Sequence, residues 1–320
     1  GDATYELSIG RHQYVLDLTR PEVRDHIVEA LSAVIGGNDV DYVKWNMNRS
    51  LSEVFSAAWP AEAQGEIYHR YVLGYYDLMS RLLERFPELL IEAGSGGGAR
   101  LDPAVLAFSP QHWISEDTDA MERVKIQYGT SYAYPLSMMS NHVSAVPNAQ
   151  TGRISPLKTR ADVALFGTFG YELDPRTVTD EAEREQIRRQ VALDKRFAAL
   201  VATGDFYRLI SPFASEPAFA MAHAAWMVVS PDRREALVGY YRTHVGVNLM
   251  PFHLRLAGLD ERVRYAVDEI GFDVERRPRY GDELERVGLA LIDGSNCQLH
   301  PRVPLGDNLS RIFHLHALDE

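Results

Sequence analysis

The sequence predicts an α/β barrel followed by an antiparallel β domain. From His12 to about residue 204, short apolar runs alternate with amphipathic stretches, which is typical of βαβ units and a parallel sheet. After Gly204, short alternating runs are separated by turns with little helix between them, which indicates antiparallel strands. We therefore expect a (β/α) barrel over residues 1–204 and an antiparallel β-sandwich over residues 205–320.

The barrel elements follow in order along the chain. Thr19 is the expected N-cap of the first helix, with Pro21 in its first turn and Gly36-Gly37 as its stop signal. The expected strands cover 12–18, 40–45, 89–93, 108–115, 137–146 and 163–171, and the expected helices cover 21–35, 61–85, 118–128 and 180–202. A complete (β/α)₈ barrel has eight strands and takes ~250 residues. We therefore expect a barrel that lacks its first strands, which would lie upstream of Gly1.

Composition excludes several function classes. The net charge of −12 over 320 residues disfavours nucleic acid and anionic membrane surfaces as partners. One cysteine, Cys297, excludes an internal disulfide, and the histidines lack metal-ligand spacing, so we expect neither a metal nor a cofactor. No apolar run approaches the ~20 residues of a membrane span, and no signal peptide is visible. We expect a cytoplasmic protein that is part of a longer chain.

A glycine run follows the third expected strand. Gly94, Gly96 and Ala99 match the spacing G-x-G-x-x-A, but a dinucleotide site needs a helix to begin within the run. Asp102-Pro103 interrupts at once, and no Gly-Lys-Ser/Thr follows. We expect these glycines to let the backbone approach a ligand closely.

Three polar clusters follow expected strands, at the end of the barrel where active sites lie. They are Lys44–Arg49, Glu92–Arg100 and Trp113–Asp119. The first combines a cation, an aromatic ring and two carboxamides, which suits a sugar, but it has no carboxylate. The third offers Glu116, Asp117 and Asp119 for acid–base chemistry. Asp117 or Asp119 could equally cap the next helix, and both interpretations can hold together.

Together these clusters resemble glycoside hydrolase family 36, the retaining α-galactosidases. The similar motifs are GRHQYVLD at 10–17, KWNMNR at 44–49, GSGGGAR at 94–100, WISEDTDA at 113–120 and HVSAVPN at 142–148. The resemblance implies a catalytic barrel with a C-terminal β-sandwich, preceded in the full-length protein by an N-terminal β domain. It also implies that the full-length protein is a homo-oligomer. His142, within the last motif, is interpreted as a structural histidine in preference to a ligand contact.

The resemblance also implies site roles. Arg11 and Lys44 would contact sugar hydroxyls, Trp113 would lie against the galactose ring, and the Gly96 backbone would approach a hydroxyl. Gly94 stands where the family has a cysteine near the sugar's 2-substituent, so the pocket could admit a different substituent there.

Two departures concern the catalytic pair. Asn46 stands at the position of the family's aspartate nucleophile, and a neutral amide is a poor nucleophile. Glu116 stands at the position of the acid/base aspartate, and its extra methylene moves the carboxyl group by ~1 Å, a misplacement that can cost ~100-fold in rate.

The leading hypothesis is a retaining α-galactosidase for melibiose- or raffinose-type α-galactosides, acting by double displacement, whose activity in this chain is compromised at Asn46. The alternatives are a non-catalytic galactoside-binding protein, a related α-N-acetylgalactosaminidase, and a galactosyl-transferring enzyme of the same fold.

Overall fold

The computed structural model describes residues 12–47, 51–52, 54–94, 101–214, 222–245, 252–272, 276–292 and 306–319. The chain divides into two compact units, Gly1–Glu116 and Asp117–Glu320. The sequence predicts a boundary between residues 204 and 205 that separates the barrel from the β-sandwich. This boundary differs from the division into compact units, and it stays a prediction. No helix among the described residues combines the length and the apolar character needed to cross a membrane.

The first unit is a three-stranded parallel sheet with helices against it. Its elements are α1 (Pro21–Gly36), β1 (Tyr42–Asn46), a 3₁₀ turn (Ala61–Glu66) leading into α2 (Ile67–Arg85), β2 (Leu90–Gly94), a 3₁₀ turn (Val105–Ala107) and β3 (Gln111–Trp113). The strand order is β1-β2-β3. The apolar face of α2, with Tyr75, Leu78 and Met79, packs into one core with Val28 and Ile91, so the tyrosine-rich face serves packing.

The predicted strand over 12–18 is wrong. Only Gln13 forms an isolated bridge there, and Tyr14 and Leu16 are 63% and 60% exposed. A strand requires a hydrogen-bonded neighbour, and none of the described residues supplies one along this segment.

The predicted N-cap Thr19 is also wrong, because Arg20 is the cap residue. The Thr19 hydroxyl donates to Asp17 Oδ1 at 2.6 Å and accepts from Trp59 Nε1 at 2.8 Å. These contacts occupy the oxygen that a cap would use. Pro21 at the first helical position and the helix end at Gly37 are confirmed.

The second unit begins with α3 (Ala120–Thr130), a 3₁₀ turn (Leu136–Met138), β4 (Ser140–Ser144), α4 (Leu157–Ala164), β5 (Thr168–Glu172), a 3₁₀ turn (Pro175–Thr177) and α5 (Glu181–Thr203). β4 and β5 pair in parallel. The predicted strand over 163–171 is displaced, since Val163 and Ala164 belong to α4 and the strand starts at Thr168. All residues of α4 except Lys158 are buried. The buried apolar run Val163–Phe166, which has the pattern of a strand, is instead the end of this helix and the two residues after it.

The remainder of this unit is antiparallel. Its elements are β6 (Asp205–Ile210), β7 (Ala222–Val229), β8 (Glu235–His244), β9 (Phe252–Leu254), β10 (Arg264–Glu269), β11 (Arg279–Tyr280), α6 (Gly281–Arg286), β12 (Leu289–Ile292) and β13 (Leu309–Ala317). A six-stranded sheet has the order β11-β10-β13-β8-β7-β6, and β12 pairs with β9. Both sheets contribute to one core, with Leu254 and Leu289 packed among Met227, Val238 and Phe313.

Candidate active site

Three residues that the sequence singles out lie in one row across the sheet of the first unit. Asn46 at the end of β1 pairs with Gly94 of β2, and Gly94 pairs with Trp113 of β3. Paired residues of parallel strands project to the same face of the sheet. A Cβ atom on Gly94 would lie 3.0 Å from Asn46 Oδ1 and 3.5 Å from Trp113 Cβ, so both neighbours flank the glycine.

The row two residues earlier on the same three strands contains a buried acid, Glu92. Lys44 pairs with Glu92, and Glu92 pairs with Gln111. The Glu92 side chain is 1% exposed, and its Oε1 lies 3.5 Å from Lys44 Nζ, whose side chain is 30% exposed. Gln111 Nε2 donates to Glu92 Oε2 at 3.4 Å. The acid therefore has a cationic partner and an amide donor, which a buried carboxylate needs.

Lys44 connects the two rows. Its Nζ lies 4.2 Å from the centroid of the Trp113 ring, within the range of a cation–π interaction. Trp113 is buried, with 3% of its surface exposed. The ammonium group is thus held between the carboxylate of Glu92 and the face of the indole, while part of it remains open to a ligand.

Tyr42 completes the surroundings of Glu92. Its hydroxyl donates to Glu92 Oε2. Burial, followed by the hydrogen bond to Glu92 and the charge of that carboxylate, raises the pKa of Tyr42 well above its ordinary value. Tyr42 therefore stays a protonated donor to Glu92 at neutral pH.

The acidic cluster after β3 divides into different roles. Asp119 is the N-cap of α3, and its carboxylate accepts from Met121 N at 2.8 Å. It also accepts from Thr151 and forms an ion pair with Arg153 at 2.6 Å. Burial alone raises the pKa of Asp119, but these hydrogen bonds outweigh burial and lower the pKa below its ordinary value. Asp119 is a structural carboxylate.

Glu116 and Asp117 are half-buried. Asp117 Oδ1 accepts from the backbone N–H of Asp119 at 2.9 Å, so it supports the same turn. Glu116 is three residues beyond Trp113 in the first unit.

Two predicted site residues, Arg11 and Gly96, lie outside the described residues. The structure brings together Asn46, Gly94, Trp113 and Lys44. Sequence reasoning assigned no role to Glu92 or Tyr42. The signal for Glu92 was an acid between the apolar residues Ile91 and Ala93 of an expected buried strand, where an ionised group needs a partner.

His142 lies in the second unit, on β4. Its Nδ1 is 3.2 Å from Glu172 Oε2 on β5, and the structural role preferred from the sequence stays a prediction. His, Cys and acidic groups close enough to share a metal ion occur, within the described ranges, at Asp268, His314 and His316. The row of Asn46, Gly94 and Trp113 contains none of these residues.

Two family models match the chain. The model described as Melibiase matches residues 2–204, and the model described as Glycosyl hydrolase family 36 C-terminal domain matches residues 223–315. Alpha-galactosidase AgaA of Geobacillus stearothermophilus is 48% identical over 89% of this chain and 37% of its own length. Alpha-galactosidase Mel36A of Lactobacillus acidophilus is 42% identical over 97% of this chain and 39% of its own length.

Solved structures are similar over nearly the whole chain. The crystal structure of AgaA has a TM-score of 0.87 at 45% identity, covering 99% of this chain and 41% of AgaA. The α-galactosidase of Lactobacillus brevis has a TM-score of 0.89 at 38% identity, with 99% and 41% covered. A variant of AgaA has been crystallised in complex with raffinose. The predicted fold class, a TIM-type barrel with a C-terminal β domain, is confirmed. The chain spans about two-fifths of the length of these relatives.

Proposed function

Because the chain belongs to glycoside hydrolase family 36, we propose that its first unit forms part of the galactoside site of a retaining α-galactosidase. The observation that supports this most directly is the row of Asn46, Gly94 and Trp113, with Lys44 held over the indole ring. The proposed substrates are terminal α-galactosides of the raffinose and melibiose class, since an AgaA variant binds raffinose.

The proposed binding roles follow from the contacts. Trp113 is the proposed aromatic wall of the site, with Lys44 held against its ring. Lys44, fixed by Glu92 and partly exposed, donates to sugar hydroxyls from a position that needs little reordering on binding. Gly94 leaves space beside Asn46, so the backbone forms the floor of the site between the two flanking side chains.

The proposed chemistry is double displacement. A carboxylate attacks the anomeric carbon, and an acid protonates the leaving oxygen and later deprotonates water. Glu116 is the proposed acid/base. Position 46 is the proposed nucleophile position, where Asn46 has no negative charge and is a poor attacking group. We therefore propose that this chain binds α-galactosides and cleaves them very slowly, and that Asn46→Asp restores cleavage.

The test compares the chain and its Asn46→Asp variant in two assays, galactose binding by calorimetry and hydrolysis of an aryl α-galactoside. We expect similar binding and hydrolysis faster by a factor on the order of 10³–10⁵ in the variant, the scale of removing a catalytic nucleophile. Asn46→Ser is the matched control, and it should stay inactive. Loss of galactose binding in both proteins would refute the proposed site.

Asn46 itself favours a second candidate, a galactoside-binding protein without turnover. Binding by Asn46→Asp without any hydrolysis would establish this function. Gly94 favours testing 2-acetamido sugars, because it stands where the family has a cysteine near the sugar's 2-substituent. An added acceptor sugar would reveal galactosyl transfer. The cytoplasmic location and the homo-oligomeric full-length protein stay predictions, which cell fractionation and light scattering would check.

A further inference from the structure

We propose that Asp268, His314 and His316 form a binding site for one divalent transition-metal ion, with Zn²⁺ as the best match, on a face of the antiparallel sheet. His314 and His316 alternate along β13 and therefore share a face. Asp268 lies on the neighbouring β10, directly opposite His314. Backbone hydrogen bonds of the paired strands thus fix the backbone positions of all three residues.

The distances fit a metal ion better than direct hydrogen bonds. Asp268 Oδ2 lies 3.6 Å from His316 Nδ1 and 4.0 Å from His314 Nδ1, and one ligand atom of each residue lies within 4.8 Å of the others. In a tetrahedral Zn²⁺ site with bonds of ~2.0–2.1 Å, ligand atoms are ~3.4 Å apart. Asp268 and His316, with side chains 64% and 44% exposed, can rotate by the small amount required.

A carboxylate behind His314 sets its tautomer. Glu235 Oε1 on β8 lies 2.8 Å from His314 Nε2. A carboxylate only accepts hydrogen bonds, so Nε2 carries the hydrogen and Nδ1 of the neutral ring presents its lone pair towards Asp268. This carboxylate–histidine arrangement is the one that commonly orients metal-binding imidazoles.

The lone pair faces another acceptor. His314 Nδ1 and the Asp268 carboxylate face each other, and such an arrangement is favourable when a cation lies between them. Nδ1 of His316 is buried and makes no hydrogen bond to any residue that the structure describes. Imidazole with carboxylate suits Zn²⁺ and its neighbours, whereas Mg²⁺ and Ca²⁺ prefer oxygen ligands throughout. Because part of the site is exposed, water can complete the coordination.

Arg196 on α5 is the competing cation. Its Nη2 lies 3.4 Å from His314 Nδ1, and its side chain is exposed, so it can move away when a metal binds. The bound ion would link β10 to β13 and stabilise the sheet. It has no step in sugar cleavage, and the proposal is independent of the one made for the first unit.

The experiment titrates the chelator-treated 320-residue chain with Zn²⁺ by calorimetry, with Co²⁺ absorption as a second readout. We expect one Zn²⁺ per chain, a higher thermal midpoint with Zn²⁺ than with Mg²⁺, and binding at least ~10-fold weaker in His316→Ala and in Asp268→Asn. Arg196→Gln should bind more tightly, because the competing cation is gone. His244→Ala is the matched control, since His244 also lies beside an acid, Asp307, at 3.4 Å but belongs to no such cluster among the described residues.

Equal Zn²⁺ affinity in the parent chain, His316→Ala and Asp268→Asn would overturn the proposal. So would a decrease in affinity in His244→Ala as large as that in His316→Ala, since binding would then be spread over surface histidines. Asp268 and His316 are exposed, so we expect the fold to tolerate their substitution. Circular dichroism of each variant shows whether a loss of Zn²⁺ binding comes from the site or from the fold.

Discussion

Replacement of Glu92 by glutamine tests whether a buried charge positions the cation of the sugar site. Glu92→Gln keeps the shape of the side chain and removes its charge. The buried carboxylate lies 3.5 Å from Lys44 Nζ, and the Lys44 ammonium lies 4.2 Å from the centroid of the Trp113 ring. Without the carboxylate, Lys44 gains freedom to leave the indole for solvent. We therefore expect weaker galactose binding, because the ligand must reorder the lysine.

The magnitude follows from distance and exposure. Two charges 3.5 Å apart attract each other by ~5 kcal/mol at an effective dielectric constant of 20. Water stabilises the freed ammonium because Lys44 is partly exposed, so the net effect is much smaller, about 1–2 kcal/mol. Such a change raises the Kd for galactose ~5- to 30-fold.

The assay is calorimetric titration with galactose of four proteins, the parent chain, Glu92→Gln, Lys44→Met and the double variant. If Glu92 acts through Lys44, the two single effects will not add in the double-mutant cycle. Glu88→Gln, the same substitution at an exposed position, is the control and should bind like the parent chain. An unchanged Kd in Glu92→Gln, or additive single effects, would refute the reasoning.

Two further predictions concern stability. Asp119→Ala removes the cap of α3 and the partner of Arg153, and we expect a loss of ~2–4 kcal/mol in the free energy of unfolding by urea. Because the pKa of Asp119 is lowered in the folded protein, its contribution is complete above the unfolded pKa and declines as the pH falls through the folded pKa. A parent chain whose stability is independent of pH in the acid range would contradict this. Gly74→Ala places a Cβ 2.1 Å from the Leu18 carbonyl oxygen, whereas Gly65→Ala meets nothing within 4 Å. We expect the first to destabilise by ~1–3 kcal/mol and the second by less than ~1 kcal/mol, and equal melting temperatures would contradict this.

Much of the fold could be predicted from local patterns, because helix ends and apolar faces depend on residues close together in sequence. Pro21 and Gly37 marked the ends of α1, and the apolar spacing of α2 placed Tyr75 and Leu78 in the core. The failures arose where tertiary context decides. The segment 12–18 has the pattern of a strand but pairs along it with none of the described residues. In α4 polar residues such as Arg160 and Asp162 are buried, so burial does not follow the apolar pattern, and the apolar end of the helix was taken for a strand.

The candidate site was predicted residue by residue and not as an arrangement. The motifs identified Lys44, Asn46, Gly94 and Trp113, but only strand register shows that three of them share a row. The role of Glu92 depends on Lys44, which is 48 positions away. In the Asp268–His314–His316 cluster the two histidines are two positions apart, but Asp268 lies on a strand distant in sequence, and only strand pairing shows that it joins them.

The strand register has a consequence for how the site can change. Neighbouring strands are ~4.8 Å apart, so Asn46 and Trp113 are separated by two such spacings, ~10 Å, with a bare backbone midway. The distance between the backbones of Asn46 and Trp113 is therefore set by the sheet, and no side-chain replacement alters it. Gly94 is the one point of the row where a new side chain enters the gap, and it would meet Asn46 Oδ1 first. Engineering of position 94 will consequently tilt the amide of Asn46 before it reaches any sugar.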